Sequence, residues 1–265
     1  MNMQRVAFFV DGSNLFGSLK SMNLEVENYE ALYEYVYKES VETWRSSTHV
    51  AEGVPTQLRR VYWYVVGAID QWDLSLPQSQ TALRRGFDQD REVKNQWLAT
   101  VGKTDPTLKG DALINKAWTE CFTDFKSWYD GKCNILDGMK SFHQGVRMGT
   151  DLIEMIECGH WKVNFIKKYV EEKGLDTSLA VDMLAQSENY DIAMVASGDA
   201  DSIPSIQYMK SHGKHVGVIE FINGTPPESK GRGFSSRLKQ HADFVVRIYE
   251  TELIRRKLAT RPNGK

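Results

Sequence analysis

Asp191-Ile-Ala-Met-Val-Ala-Ser-Gly-Asp-Ala-Asp201, continued by Ser202-Ile-Pro-Ser-Ile-Gln-Tyr-Met-Lys-Ser-His-Gly213, is the stretch from which the fold is read. Ile192 to Ala196 is a short apolar run with the length and bounding of a strand buried on both faces, the parallel-sheet kind. Ser197-Gly198 ends it, and Ile203, Ile206 and Met209 space a helix that stops at Gly213. Asp199 and Asp201 therefore stand where a buried strand hands over to a helix, the edge of an open α/β sheet at which ligands bind. Either one alone could be a helix N-cap. Two carboxylates around one small residue exceed what a single cap requires, and such a pair at a strand end suits a hard divalent cation.

The same order of parts opens the chain. Val6-Ala-Phe-Phe-Val10 is apolar throughout, Asp11-Gly-Ser-Asn14 follows it, and Leu15 to Leu19 starts a helix or turn. Asp11 either caps that helix or joins the other acids, and Asn14 can bond Asp11 or the turn backbone. Val61–Val66, His215–Phe221 and Asp243–Ile248 read as further strands, rich in the β-branched and aromatic residues that strands favour. Tyr29, Leu32, Tyr33, Val36, Val41 and Trp44 space a packing helix over 28–45.

Residues 70–149 read as a mostly helical connection, longer than a minimal βαβ crossover needs. One helix is expected over 79–99 and a second over 111–129, with a turn-rich break at Gly102–Gly110 and scattered glycine and charge from Gly131 to Gly149. Asp151–Ile156 and Trp161–Val170 alternate enough to hold a strand. Gly174 then breaks the chain, Asp176 sits at a helix start, and Leu179, Met183 and Leu184 give that helix a buried face. Asp182 lies six residues beyond Asp176, off its face, so both reach one site only if Asp176 is outside the helix. Asn223 to Ser236 is a Gly-, Pro- and Ser-rich loop leaving the carboxyl end of a strand. It carries Lys230 and Arg232, with Arg237 just beyond, cations that can meet a phosphate chain at the acidic edge. Arg255-Arg256-Lys257 ends a short helix over 249–258 and reads as a solvated, frayed terminus.

A chain of 265 residues, 41% hydrophobic and 26% charged, has the composition of a soluble globular protein able to bury a full core. A formal charge of −2 creates no global field for a polyanion, although a local basic rim is compatible with it. Cys121, Cys133 and Cys158 lack metal-ligand spacing and suit a reducing compartment. No stretch reads as a signal peptide or membrane span, so a cytoplasmic protein with no membrane contact is the expectation.

Taken together, Val6-Ala-Phe-Phe-Val-Asp-Gly-Ser-Asn14, Glu172-Lys-Gly-Leu-Asp176 running to Asp182, Ser197-Gly-Asp-Ala-Asp201 and the weaker Leu238 to Val246 resemble the NYN domain family of PIN-like, metal-dependent nucleases. The resemblance covers 3–20 and 160–250 well, 50–70 loosely and 70–149 not at all. It implies a single α/β domain over 1–265, a mostly parallel sheet flanked by helices, with 70–149 a helical insertion. It further implies that Asp11, Asp176, Asp199 and Asp201, with Asp182 a less certain member, hold Mg2+ or Mn2+ and that Asn14 orients Asp11 or a substrate phosphate. Ser13, Ser197, Lys173, Lys230, Arg232 and Arg237 become substrate-binding residues. One departure is Ser202, where the family often places an aromatic after the last Asp, a change expected to loosen packing behind the site without removing a ligand.

Three functions compete on this reading. The favoured one is an endoribonuclease acting on single-stranded RNA. A PIN-like RNA-binding or scaffold module with weak or no turnover is the second, and a homo-oligomer or a protein partner fits either. A phosphatase of the haloacid dehalogenase type is the third, but it needs an Asp two positions after Asp11, where this chain has Ser13.

Overall fold

The computed structural model describes residues 2–51, 53–227 and 236–262. Seven strands form one mostly parallel sheet in the order β4-β3-β2-β1-β5-β6-β7. β1 is Gln4–Asp11, β2 Thr56–Ile69, β3 Ile153–Asn164, β4 Tyr169–Lys173, β5 Ile192–Ala196, β6 His215–Ile222 and β7 Phe244–Tyr249. Helices α1 (Gly12–Ser21), α2 (Tyr29–Thr48), α3 (Pro77–Gln89), α4 (Arg91–Thr104), α5 (Gly110–Gly149), α6 (Leu175–Ala185), α7 (Ile203–Ser211), α8 (Ser236–His241) and α9 (Glu250–Arg255) connect or flank them. The chain divides into two compact units. The first contains residues 1–65, 143–159 and 174–265, the second 66–142 and 160–173.

In the first unit β1 lies between β2 and β5, parallel to both, and β5, β6 and β7 continue in parallel. The two faces of β1 explain its unbroken apolar run. Val6, Phe8 and Val10 join a core with Leu15 and Leu19 of α1, Leu32, Val36 and Trp44 of α2, and Leu253 of α9. Phe9, one residue out of phase, meets the rings of Tyr62 and Tyr190 instead. Alternate side chains of a strand point to opposite faces, so both must be apolar when helices cover both. Gly217 of β6 is required for packing: a Cβ there would stand 2.4 Å from the Phe244 ring and 2.7 Å from the Met194 methyl.

The start of β1 is fastened by charge. Arg5 donates from its backbone N (2.8 Å), Nε (3.0 Å) and Nη2 (3.0 Å) to the Asp191 carboxylate at the start of β5. Those guanidinium bonds hold the Asp191 carboxyl below its ordinary value. A depressed carboxylate contributes stability that is present above the unfolded value near 3.8 and is lost as pH falls toward the folded one. Asp191→Asn is therefore expected to lower stability at neutral pH by about 1–3 kcal/mol and to flatten the loss between neutral pH and acid. Urea titrations at several pH values check this; parallel curves for variant and wild type would refute it.

In the second unit, Leu83, Phe87, Val101, Ala117, Cys121, Phe125, Tyr129 and Phe165 form a separate core. Here the expected helix over 79–99 is two helices, because Asp90 ends α3 and its side chain caps α4 by accepting from Val93 N at 3.1 Å. The helix expected to stop at 129 continues to Gly149, through the stretch of scattered glycine and charge. The strand expected over 161–170 is split: Trp161 to Asn164 complete β3, a turn holds Phe165 to Lys168, and β4 pairs back antiparallel. In the first unit the basic cluster after β7 is packed rather than frayed: Arg256 lies over the Tyr35 ring at 4.6 Å and pairs with Glu39 and Glu252.

Candidate functional site

The chain leaves β1 for β2 on one side and returns through β5 on the other. This reversal of strand order opens a crevice at the carboxyl ends of β1 and β5, the position at which open α/β sheets bind ligands. Val10 pairs with Ala196, so Asp11 and Ser197-Gly198 emerge side by side. Asp11 caps α1, accepting from Asn14 N at 3.0 Å. Asp199 caps the short 3-10 turn Ala200–Ser202, accepting from Asp201 N at 3.1 Å, and Ser197 Oγ, fully buried, accepts from Asp199 N at 3.3 Å. Both carboxylates are thus caps as well as acids, and their orientation is fixed by backbone N–H groups.

Asn14 joins the two strand ends. A Cβ on Gly198 would come within 2.3 Å of Asn14 Nδ2, so the amide lies directly on the glycine. Gly198→Ala must displace that amide, at an expected cost of about 1 kcal/mol in stability. In Gly198→Ala combined with Asn14→Ala the penalty should shrink below the sum of the two single changes. Additive costs in that double-mutant cycle would show that the two residues are not in contact.

α6 brings the remaining acids. Asp176 lies in its first turn, inside the helix and not outside it as both acids reaching one site would require. Six residues turn the helix by well over a full revolution, and the two acids meet different neighbours. Asp176 is partly buried, its Oδ1 is sealed from solvent and makes no hydrogen bond, and its carboxyl is raised by burial and then by the charges of Asp199 and Asp201. Asp182 faces β2 and β3. Its charge acts on the Tyr64 hydroxyl, which burial already raises, and with that of Asp11 on the Cys158 thiol. Tyr64 and Cys158 carry no signal in the sequence, since they reach this region from strand interiors.

The donor chemistry fits a divalent cation: Asp176 Oδ1 is an orphaned buried acceptor within the field of two further carboxylates. Among the described residues no three His, Cys, Asp or Glu side chains stand close enough to hold one ion between them. Mg2+ retains several waters and commonly takes only one or two carboxylates directly. Ser13 is exposed on the first turn of α1, and Arg237 is exposed on α8. Lys173 belongs to the second unit, where its ammonium pairs with Glu171. Lys230 and Arg232 lie outside the described residues.

Ser202 is completely buried, and its hydroxyl has no hydrogen-bond partner. A buried polar group left unpaired costs about 1–3 kcal/mol. Ser202→Ala should therefore raise stability by about 1 kcal/mol in chemical denaturation; a loss of that size would mean the hydroxyl is bonded in solution.

Asp11 ends β1, Asp176 lies on α6, and Asp199 and Asp201 stand at the turn after β5. Residues 150–246 match the NYN domain model. That is a PIN-like nuclease family, and the matched segment contains Asp176, Asp182, Asp199 and Asp201. No curated protein matches the chain. A crystal structure of a protein of unknown function from Vibrio parahaemolyticus is similar at 14% identity and a TM-score of 0.40, covering 92% of this chain and 93% of that one. Among the described residues no helix is long and apolar enough to cross a membrane.

Proposed function

We propose that this NYN-type chain is a metal-dependent endoribonuclease that hydrolyses phosphodiester bonds of single-stranded RNA at the acidic edge of its sheet. The observation that carries the reading is the buried, unbonded Oδ1 of Asp176 facing the charges of Asp199 and Asp201 at the β1/β5 crevice. Asp11, Asp176, Asp199 and Asp201 are the residues that would hold Mg2+ or Mn2+, one or two of them directly and the others through its retained waters, while Asp182 acts on Tyr64 and Cys158 instead. Bound there, the cation supplies an acidified water and a counter-charge for the phosphate. The chain's own part is orientation. The N–H groups of Asn14 and Asp201 fix the Asp11 and Asp199 carboxylates, and the Asn14 amide lies against Gly198. Ser13, exposed on the first turn of α1, would meet a substrate phosphate.

The test is a cleavage screen with labelled single-stranded RNA, duplex RNA, single-stranded DNA and p-nitrophenyl phosphate, each with Mg2+, Mn2+ or EDTA. Cut single-stranded RNA that depends on either cation is expected. Turnover of the small phosphoester alone would replace the reading with a phosphatase, and RNA binding without any cutting would replace it with a binding module.

A further inference from the structure

The second unit contains a cleft of ≈ 420 Å3 between α4, the middle of α5 and the β3–β4 turn. It is built on residues the acidic site does not use. Trp97, Phe125 and Ile166 give it an apolar floor with two ring systems, while Gln96 and Asp124 line its polar side. Glu92, Thr100, Lys167 and Lys168 complete a lining that is more polar than apolar, so a volume of this size suits a small ligand that carries both a ring and charge. The floor is anchored: Phe125 is buried and packs against Phe165, which in turn meets Trp72, Trp128 and Tyr129.

Two adjacent cations close the cleft. Lys167 and Lys168 sit on the β3–β4 turn, which is held by Lys168 N donating to Phe165 O and Lys167 N donating to Asn164 Oδ1. Lys168 has a φ of 48°, in the left-handed region that glycine enters freely and a lysine enters at a cost. The turn keeps lysine where glycine would relax it. Lys167 pairs with Asp90 at 3.0 Å and Glu92 at 3.6 Å, and Lys168 pairs with Asp124. Such partly exposed pairs are weak, so a doubly charged phosphate can draw both ammonium groups to itself. Asp90 stays committed to its α4 cap, while Asp124, released from Lys168, becomes an acceptor facing the cleft.

We propose that this cleft binds a nucleotide, its phosphate on Lys167 and Lys168 and its base on the Trp97 side of the floor. The base edge would donate N–H groups to Asp124 and exchange hydrogen bonds with Gln96. A free nucleoside monophosphate and one unpaired nucleotide of an RNA strand present the same chemistry.

The experiment is isothermal titration of the full-length protein in EDTA, so that cleavage plays no part and the outcome is independent of the nuclease reading. The probes are AMP, GMP, CMP, UMP, a single-stranded RNA oligonucleotide and inorganic phosphate. Saturable binding of at least one monophosphate, or of the oligonucleotide alone, is expected, the second result assigning the site to a strand. Lys168→Gly removes the ammonium while relieving the backbone, so binding should weaken at least tenfold with a Tm no lower than wild type. Trp97→Leu should weaken the same probe and leave inorganic phosphate unaffected. No saturable binding up to millimolar probe, equal affinity for inorganic phosphate and nucleotide, or wild-type affinity in Lys168→Gly would each overturn the assignment.

Discussion

Asp199→Asn is expected to reduce RNA cleavage by roughly a thousandfold and to leave the fold intact. The loss follows from charge: a carboxylate that holds the cation contributes several kcal/mol of transition-state stabilisation, and about 4 kcal/mol corresponds to that factor. The fold survives because the amide keeps an oxygen that can still accept from Asp201 N, so the cap and the 3-10 turn are preserved. In the metal-free protein the variant should be slightly more stable. The Asp176 carboxyl is raised, first by burial and then by Asp199, so its ionisation opposes folding as pH rises above the unfolded value near 3.8, and fully above the folded one. The gain should therefore vanish in acid, where Asp176 is protonated in both states. Turnover unchanged with wild-type metal dependence, or a variant that fails to fold, would remove Asp199 from the site.

Gly12→Ala should be among the most damaging small changes in the first unit. Its Cβ would stand 2.7 Å from Trp63 Nε1, 2.8 Å from the Tyr64 carbonyl oxygen and 2.9 Å from Val65 Cγ1. The carbonyl belongs to β2, whose Tyr64 is paired with Asp11, so α1 cannot yield without dragging the first acid of the site with it. Overpacking of this kind costs about 1–3 kcal/mol, and contact with backbone places Gly12 at the upper end. Gly17→Ala is the matched control: it lies in the same helix, a Cβ there meets nothing within 4 Å, and a helix-interior alanine should stabilise by up to about 1 kcal/mol. Equal stabilities for the two variants in guanidinium titrations would contradict the packing described.

The parts of the fold legible in the sequence are those whose signal is local. Ile192–Ala196 is the strand expected, because a buried parallel strand must be apolar on both faces and Asp191 and Ser197 bound it sharply. β2 extends five residues earlier than its apolar core suggests, since Thr56 to Arg59 alternate in exposure at its start before the register shifts at Arg60. α5 was legible only to Tyr129. Beyond it the fully buried positions are Leu136 and His143, seven residues apart, and Gly131, Gly138 and Gly145 interrupt the propensity without interrupting the helix. Asp11, Asp199 and Asp201 could be placed at one sheet edge from their strands alone. What α6 does with Asp176 and Asp182 could not, because its phase is set by packing against β1 and α7, contacts distant in sequence.

The reversal of strand order at β1 also divides the acidic site between two stretches of chain. Asp11 and Asn14 come before the helical segment 70–142, and Asp176, Asp199 and Asp201 come after it. A single backbone nick within α3, α4 or the first half of α5 would leave one fragment with the opening Asp and the other with the closing trio. Reassembly would rest on the ladder from Val6–Ile192 to Val10–Ala196 and on the Arg5–Asp191 clasp at its foot. Neither fragment would carry all the acids by itself, and the β1/β5 edge would form only where the two had found one another.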